Sequence, residues 1–444
     1  MGRSAHLPTS TDPSALTFPV LLEKWKIVPL RLAAAAVAIV AFLLVPAAQA
    51  GSRSTFQQLL ARALHAKHVS PARTGAIVLD PETGQTLFAH NSLLALRPAS
   101  NEKLATTFGA LTALGPSFRI ETDVLGEGQQ SGTAWRGNIV LKGYGDPALS
   151  FAQLNSLARQ VRAAGVRHVS GRVVGDESWF DARRTGLGWK AAFYLHESPA
   201  LSALIVNRGW TGRFETSRPA LMAAQVFRRD LRRAGVTVHG RAVVGVASHQ
   251  AVPLAEVESA RLATLLRHMD VYSDNFYAEM LLKEIGAVQG SGGSAAAGVA
   301  VERRLLKAAG VPLGGVRIVD GSGLSLIDRW TPFSLATLLR TMWQDPDLRP
   351  YVVPALPIAG ETGTLESRMR TGPAHGIVRA KTGTTANASS LSGFVGESYI
   401  FSILENGSPV RTPSAERSQN RFAQVLAAAV RADGSQARRR RLRR

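Results

Sequence analysis

Residues 97–105 read Arg-Pro-Ala-Ser-Asn-Glu-Lys-Leu-Ala, a turn that leads directly into a helix. Pro98 ends any preceding helix, and the new helix has one apolar face formed by Leu104, Phe108 and Leu111. Ser100 lies at or near its N-terminus. Residues three apart on a helix share a face, so the side chains of Ser100 and Lys103 can meet. A serine hydroxyl becomes a nucleophile when a base takes its proton, and Lys103 can be that base if burial and nearby positive charge lower its pKa.

The bulk composition is that of a folded protein of more than one domain. A length of 444 residues exceeds what one compact core usually supports, so two or more domains are expected. Hydrophobic residues make up 45% of the chain and charged residues 19%, which excludes a disordered protein. The chain has no cysteine, which excludes disulfides, thiolate metal sites and cysteine catalysis.

The first 50 residues resemble a secretory signal. A basic region containing Arg3, Lys24, Lys26 and Arg31 precedes an apolar run over residues 32–45 and an Ala-x-Ala pattern at residues 48–50. The apolar run is shorter than the roughly 20 residues of a membrane span, although an uncleaved N-terminal anchor is an alternative. Either interpretation predicts an exported protein, in the periplasm or on the outer face of the cell envelope.

The formal net charge of +20 is partly concentrated in the arginine-rich residues 438–444. We interpret residues 433–444 as a basic disordered tail. Such a tail can bind an anionic membrane or wall polymer, or it can simply be solvated. Nucleic acid is disfavoured as a partner because the chain carries an export signal.

The elements around the Ser100 helix predict an antiparallel sheet. Residues 53–65 form an amphipathic helix, and two apolar runs, 76–80 and 85–89, flank a Pro-Glu-Thr-Gly turn that is typical of a hairpin. Further strands are predicted near the C-terminus, at 377–384, 391–395 and 399–404, followed by a helix over about 416–431.

The middle of the chain repeats itself. Residues 159–175 and 229–245 each read as a helix closed by glycine and followed by a strand, which suggests one unit used twice in an inserted domain. After this region the helical pattern returns, and the glycine-rich residues 286–293 are predicted to form a surface loop.

Two later motifs can join the Ser100 site. Ser273-Asp274-Asn275 lies at a junction between two helical patterns, and Lys381-Thr382-Gly383-Thr384 lies on a late strand. Each has a structural alternative, since serine and asparagine cap helices and a strand lysine can protect a sheet edge. All three motifs in this order are nevertheless characteristic of serine enzymes that recognise penicillin.

These motifs, with Gly145-Asp146-Pro147 and Asp320-Gly321-Ser322-Gly323, resemble the D-alanyl-D-alanine carboxypeptidase/endopeptidase family of low-molecular-mass penicillin-binding proteins. The resemblance covers about residues 53–407. It implies an α/β (α+β) transpeptidase-like fold, with an antiparallel sheet flanked by helices. The expected catalytic domain comprises residues 51–128 and 252–432, and residues 129–251 form a smaller inserted α/β domain.

The resemblance also implies an activity without a cofactor or metal. The substrate is the terminal D-Ala-D-Ala bond of peptidoglycan stem peptides, with peptide cross-links as a further substrate, and β-lactam antibiotics are covalent inhibitors. The resemblance implies that Ser100 is the nucleophile and Lys103 its base. It also implies that Ser273 relays a proton and that Asn275 orients Lys103 and the substrate amide. Lys381 adds positive potential. Thr382, Gly383 and Thr384 are expected to bind the substrate, with the two threonine hydroxyls holding its carboxylate.

Three other interpretations fit the sequence less well. A β-lactamase shares the motifs but usually carries a Glu-x-x-Leu-Asn sequence, to which Glu197-Ser198-Pro199-Ala200-Leu201 is the nearest approach, without the Asn. A wall-binding scaffold without activity would have no reason to keep the five catalytic residues. His65 and His68 lack an evident carboxylate partner for a metal site. Residues 326–329, Leu-Ile-Asp-Arg, depart from the polar run expected after the Gly-Ser-Gly turn, a departure that concerns the rim of the cleft rather than the catalytic core.

Overall fold

The computed structural model describes the backbone of residues 46–442 and the side chains of residues 54–432. The predicted export signal therefore lies outside the described residues as far as residue 45, and the side chains of the arginine-rich stretch 438–444 also lie outside them. Within the part that is described, no helix has both the length and the apolar composition that crossing a membrane requires.

The first sheet has five antiparallel strands, which are β1 (Thr74–Leu79), β2 (Thr86–His90), β10 (Val378–Thr385), β11 (Ala388–Val395) and β12 (Tyr399–Asn406). Their order in the sheet is β10-β11-β12-β1-β2. The predicted hairpin forms β1 and β2, and the predicted C-terminal strands form the other three. All residues of β11 are buried, because helices cover both faces of the sheet.

Successive residues of β1 serve two different cores. Ile77 and Leu79 pack with the helices that carry the predicted motifs, whereas Ala76 and Val78 pack with the first and last helices of the chain. This alternation is the period of two expected of a strand. The helices around the sheet are α1 (Pro46–Leu64), α2 (Lys103–Leu114), α5 (Leu262–Tyr272), α6 (Asn275–Gln289), α7 (Ala295–Ala308), α8 (Pro332–Gln344), α9 (Arg349–Ala355) and α10 (Thr412–Leu442).

The predicted glycine-rich surface loop is partly wrong, because α6 continues through Gly286 to Gln289. Gly286 is buried, and a Cβ atom there would lie 2.7 Å from the backbone nitrogen of Gly298 on α7. Gly286 is therefore a close-packing position between two helices. Composition alone cannot distinguish such a glycine from one in a loop.

The second sheet is mixed and contains the repeated segments. Strands β3 (Glu121–Ser131), β4 (Ala134–Gly143) and β9 (Val252–Glu258) are antiparallel, whereas β5 (His168–Val169), β6 (Val173–Asp176), β7 (Thr237–Val238) and β8 (Ala242–Val244) extend the sheet in parallel. The helices of the two repeats are α3 (Phe151–Ala163) and α4 (Pro219–Arg233). Each predicted repeat strand is two short strands, because the ladder breaks around Gly171 and Gly240.

The two repeat copies lie side by side. Val169 pairs with Val238, and Val173 pairs with Ala242, so equivalent residues of the copies face each other across the sheet. The sheet extends from Glu121 to Glu258 and thus includes residues on both sides of the predicted insert, 129–251. The domain boundaries stay a prediction.

Candidate active site

Ser100 lies in a short 3₁₀ helix, Ala99–Glu102, that leads into α2. Ala99 has a φ of +47°, and a side chain at Gly323 would lie 1.9 Å from its carbonyl oxygen, so the turn at residues 320–323 packs directly against this segment. The Ser100 side chain does not cap the helix. Its Oγ instead lies 3.0 Å from Lys103 Nζ, which is the contact that the spacing predicts.

Lys103 is completely buried beneath Ser100. Its Nζ also contacts the Asn275 Oδ1 atom and the Ser322 carbonyl oxygen, each at 2.8 Å. Burial lowers the pKa of Lys103 to about 8, although nearby carboxylates, of which Asp320 has the strongest effect, oppose the shift. About one tenth of Lys103 is then neutral at pH 7, far more than for an ordinary lysine, and this suits a general base.

Ser273 and Lys381 form the second pair. Ser273 ends α5 in a left-handed conformation, with φ of +57°, and Lys381 Nζ donates to its Oγ at 2.8 Å. Lys381 is also fully buried. Burial first, and then the charge of Lys103, lower the pKa of Lys381 to about 7. The two lysines therefore each contact a serine hydroxyl and influence each other's charge.

Asn275 begins α6, and its neighbour Asp274 caps that helix by accepting from the Tyr277 backbone at 3.1 Å. Burial opposes ionisation of Asp274, but a hydrogen bond to His268 and the charge of Arg208 lower its pKa to about 2. Arg208 Nη1 lies 2.6 Å from Asp274 Oδ2. An ionised carboxylate at a helix N-terminus is stabilised by the helix dipole, which fixes where Asn275 stands.

The motifs surround a cleft of about 280 Å³. Its walls are Ser100, Glu197, Ser273, Asn275, Leu324, Thr364, Arg368, Thr382, Gly383, Thr384 and Glu416. Thr382 donates to the Thr364 hydroxyl at 2.7 Å, and Thr384 is exposed to solvent. A side chain at Gly383 would meet Ser390 Oγ at 2.2 Å and the Ser100 backbone nitrogen at 2.8 Å, so glycine is required for β10 to lie against Ser100.

All eight residues that the sequence nominates thus lie at one place. Six of them line the cleft, and the two lysines are buried directly behind it. Arg368 and Asp270 belong to no sequence motif, and the motifs that contain Ser322 and Glu197 did not predict the carbonyl contact of the first or the place of the second in the cleft wall. Residues 326–329 depart from the polar run expected after the Gly-Ser-Gly turn. Asp328 explains this in part, because it is buried and accepts a hydrogen bond from the Val319 backbone at 2.8 Å.

The chain is similar in sequence to known proteins over most of its length. The sequence model of the D-Ala-D-Ala carboxypeptidase 3 (S13) family matches residues 56–216 and 211–429. The D-alanyl-D-alanine carboxypeptidase of Actinomadura sp. (strain R39) is 30% identical over 430 residues, covering 78% of this chain and 79% of the relative. Carboxypeptidase DacB of Mycolicibacterium smegmatis is 31% identical over 361 residues, covering 75% and 76%.

The fold has solved counterparts. The crystal structure of penicillin binding protein 4 from Haemophilus influenzae superimposes with a TM-score of 0.74 at 22% identity, over 85% of this chain and 99% of that one. The same protein has been solved in complex with a β-lactam, and that structure gives a TM-score of 0.67. The expected fold class, with an antiparallel sheet flanked by helices and a second α/β region, is confirmed.

Proposed function

The chain belongs to the D-Ala-D-Ala carboxypeptidase 3 (S13) family, and from this we propose that it is a serine D-Ala-D-Ala carboxypeptidase that cleaves peptidoglycan stem peptides through an acyl-enzyme on Ser100. The observation that carries the proposal is the contact of 3.0 Å between Ser100 Oγ and the nitrogen of the buried Lys103, at the base of an open cleft. The same reaction applies to peptide cross-links in which the cleaved bond follows a D-amino acid, so these are a further substrate.

Acylation begins when neutral Lys103 takes the proton of Ser100 and Oγ attacks the carbonyl carbon of the penultimate D-Ala. The backbone N–H groups of Ser100 and Thr384 stabilise the oxyanion that forms. Collapse of this intermediate breaks the peptide bond, and the leaving amine of the last D-Ala receives a proton through Ser273. Lys381 supports that step because it already donates to the Ser273 hydroxyl.

Substrate binding uses the exposed side of β10. The hydroxyls of Thr382 and Thr384 hold the terminal carboxylate, and Lys381 supplies positive potential behind them. Arg368 adds a guanidinium at the same wall, fixed by the Gln419 and Asn420 side chains at 2.8–3.0 Å. After the first product leaves, water attacks the Ser100 ester, the peptide acid departs, and the proton returns to Oγ.

The same chemistry makes β-lactams covalent inhibitors. Their strained amide acylates the serine, and water then hydrolyses the resulting ester only slowly. Export to the periplasm or the outer face of the envelope places the enzyme next to its substrate. We assign residues 51–128 and 252–432 to the catalytic domain and 129–251 to an insert. The arginine-rich end, 438–444, offers a second contact with an anionic membrane or wall polymer.

Intact-mass analysis after incubation with benzylpenicillin tests the proposal, with the Ser100→Ala variant beside the wild type. We expect one long-lived adduct on the wild type only, and release of D-Ala from a synthetic peptide ending in D-Ala-D-Ala. Rapid hydrolysis of the drug without a lasting adduct would identify a β-lactamase instead. If the wild type shows neither an adduct nor turnover, a wall-binding scaffold is the better description.

A further inference from the structure

Asp270 is a buried carboxylate one turn below the catalytic groups. It lies on α5, three residues before Ser273, and is completely inaccessible to solvent. Thr107 lies on α2, four residues after Lys103 and on the same helix face. No sequence motif contains either residue.

One hydrogen bond joins these two helices. The Thr107 hydroxyl donates to Asp270 Oδ2 at 2.6 Å, and both groups are buried. The bond connects the helix that carries Lys103 with the helix that ends at Ser273. The second oxygen of Asp270, Oδ1, is buried and makes no hydrogen bond to any residue that the structure describes. A buried carboxylate with an unsatisfied oxygen is costly unless its charge is compensated.

The compensation comes from the two catalytic lysines. The hydrogen bonds that the structure gives Lys103 and Lys381 go to uncharged oxygen atoms of serine or asparagine side chains or of the backbone. Burial raises the pKa of Asp270 to about 6, and the charges of Lys381 and then Lys103 oppose that shift. Asp270 in turn is the carboxylate that favours protonation of Lys381.

Other charged groups near α5 face elsewhere or act on only one lysine. Asp320, Asp274 and Glu279, from the turn and from α6, favour protonation of Lys103. Arg208 and His268 pair with Asp274. Arg267, Glu361 and Glu366 line a separate cleft, and Arg349 pairs with Glu397. Asp270 is therefore the group that acts on both lysines from beneath.

We propose that Asp270 is a positioning residue whose negative charge favours a proton on the Lys103–Lys381 pair, and whose bond to Thr107 fixes the distance between the helix of Lys103 and the helix that ends at Ser273. Asp270 is buried and acts on both lysines, so it helps the pair to hold a proton while one lysine remains a base. This inference rests on the proposed function, because it assigns those lysines to acylation and proton relay.

The test is the pH profile of benzylpenicillin acylation, measured for the full chain. Asp270→Asn keeps the shape and the acceptor for Thr107 but removes the charge, so both lysines lose protons more readily. We expect both limbs of the profile to move to lower pH by about one unit, which lowers the rate on the alkaline limb about tenfold. Asp270→Glu keeps the charge, so its maximal rate falls while its profile stays near that of the wild type.

Two further variants separate charge from folding. Thr107→Val removes the donor to Asp270 and makes ionisation of that carboxyl harder, so a smaller shift to lower pH is expected even if Asp270→Asn does not fold. Asp230→Asn is the matched control, because Asp230 is a buried aspartate on α4 far along the chain from the site, and it should leave the profile in place. A lower maximal rate with unmoved limbs in Asp270→Asn and Thr107→Val would overturn the proposal. A wild type that is not acylated would refute the proposed function itself.

Discussion

The two sheets of the molecule are built in opposite ways. The first sheet brings together strands that are distant in sequence, and the sheet and its helices bring Ser100, Ser273 and Lys381 together from distant positions. The second sheet grows from two local copies of a helix and short strands that pair with each other. The first arrangement can bring side chains that are distant in sequence together at one point. The second builds a broad surface from residues that are close in sequence.

The two regions nevertheless meet at the active site. The segment that follows β6 makes three contacts with the catalytic motifs. Trp189 donates to Asp320 at 2.7 Å, the Glu197 carbonyl accepts from Asn275 at 3.1 Å, and Arg208 pairs with Asp274 at 2.6 Å. The first region thus supplies the reacting groups, and the second helps to hold them. The predictions below test this division.

The largest effect is expected within the first region, from Gly383→Ala. The added methyl group would lie 2.2 Å from Ser390 Oγ and 2.8 Å from the Ser100 backbone nitrogen, so β10 must move away from the oxyanion site. We expect acylation by benzylpenicillin to fall about a hundred- to thousandfold, the usual cost of a lost oxyanion donor. Gly314→Ala is the control, since no atom lies within 4 Å of its added Cβ. Equal rates for both variants would show that β10 does not need this close approach.

A smaller effect is expected from Arg208→Ala, which removes the contribution of the second region to Asp274. Misplacement of Asn275 should lower kcat/KM about tenfold, because small shifts of catalytic groups are costly. The Arg208→Lys variant should recover part of that loss. Arg213→Ala, in the same exposed segment, should change kcat/KM little. If Arg208→Ala and Arg213→Ala behave alike, the second region does not position the catalytic groups.

The ion pair between Arg208 and Asp274 also affects the stability of the fold at low pH. The pKa of Asp274 is lowered to about 2 in the folded chain, from an ordinary value of 3.8. Its ionised form therefore stabilises the fold above pH 3.8, and that contribution is lost as the pH falls toward 2. Without Arg208 the folded-state pKa of Asp274 rises, so the contribution is smaller and its loss is complete at a higher pH, which thermal unfolding between pH 2 and 5 can detect.

The division between the regions also explains what the sequence could predict. Ser-x-x-Lys, Ser-x-Asn and Lys-Thr-Gly are short linear patterns, and each places its residues by local helix or strand geometry. The hairpin and the repeats were equally visible, because alternation and self-similarity are local. Gly286 was misread because a loop glycine and a close-packing glycine have the same composition signal.

Residues that act across the fold gave no such signal. Asp270 meets Thr107 only because α2 and α5 pack together, and Ser322 contributes a backbone carbonyl, which any residue possesses. Glu197 was considered only as a fragment of another motif, although it lines the cleft. Such partners depend on long-range packing, and one sequence without its structure does not specify them.

A stability effect is expected where Glu284 of α6 accepts from Trp179 of the second region at 2.9 Å. Burial raises the pKa of Glu284 to about 8. The folded chain then keeps a proton that the unfolded chain releases, so stability declines as the pH rises from about 4.5 to about 8. Glu284→Gln keeps an acceptor for Trp179 and should be more stable at pH 8 by about 1 kcal/mol.

Urea unfolding at pH 5 and pH 8 measures this effect. The wild type should lose more stability between the two pH values than Glu284→Gln does. Glu82→Gln, at an exposed turn, provides the matched substitution and should follow the wild type. Parallel behaviour of all three proteins would mean that Glu284 is ionised when folded.

The smallest effect is expected from Glu197→Gln. Its backbone carbonyl accepts from Asn275 Nδ2 at 3.1 Å, its side chain is exposed, and the substitution leaves that carbonyl in place. Release of the penicilloyl adduct from Ser100 should therefore change less than about threefold, within the range of ordinary surface substitutions. The lifetime of the adduct by intact mass measures this directly. A β-lactamase would need a carboxylate here to activate the attacking water, so an adduct that persists a hundredfold longer in Glu197→Gln would assign that role to the second region. An unchanged lifetime instead limits the second region to holding Asn275 and Asp274, and leaves the chemistry to the first.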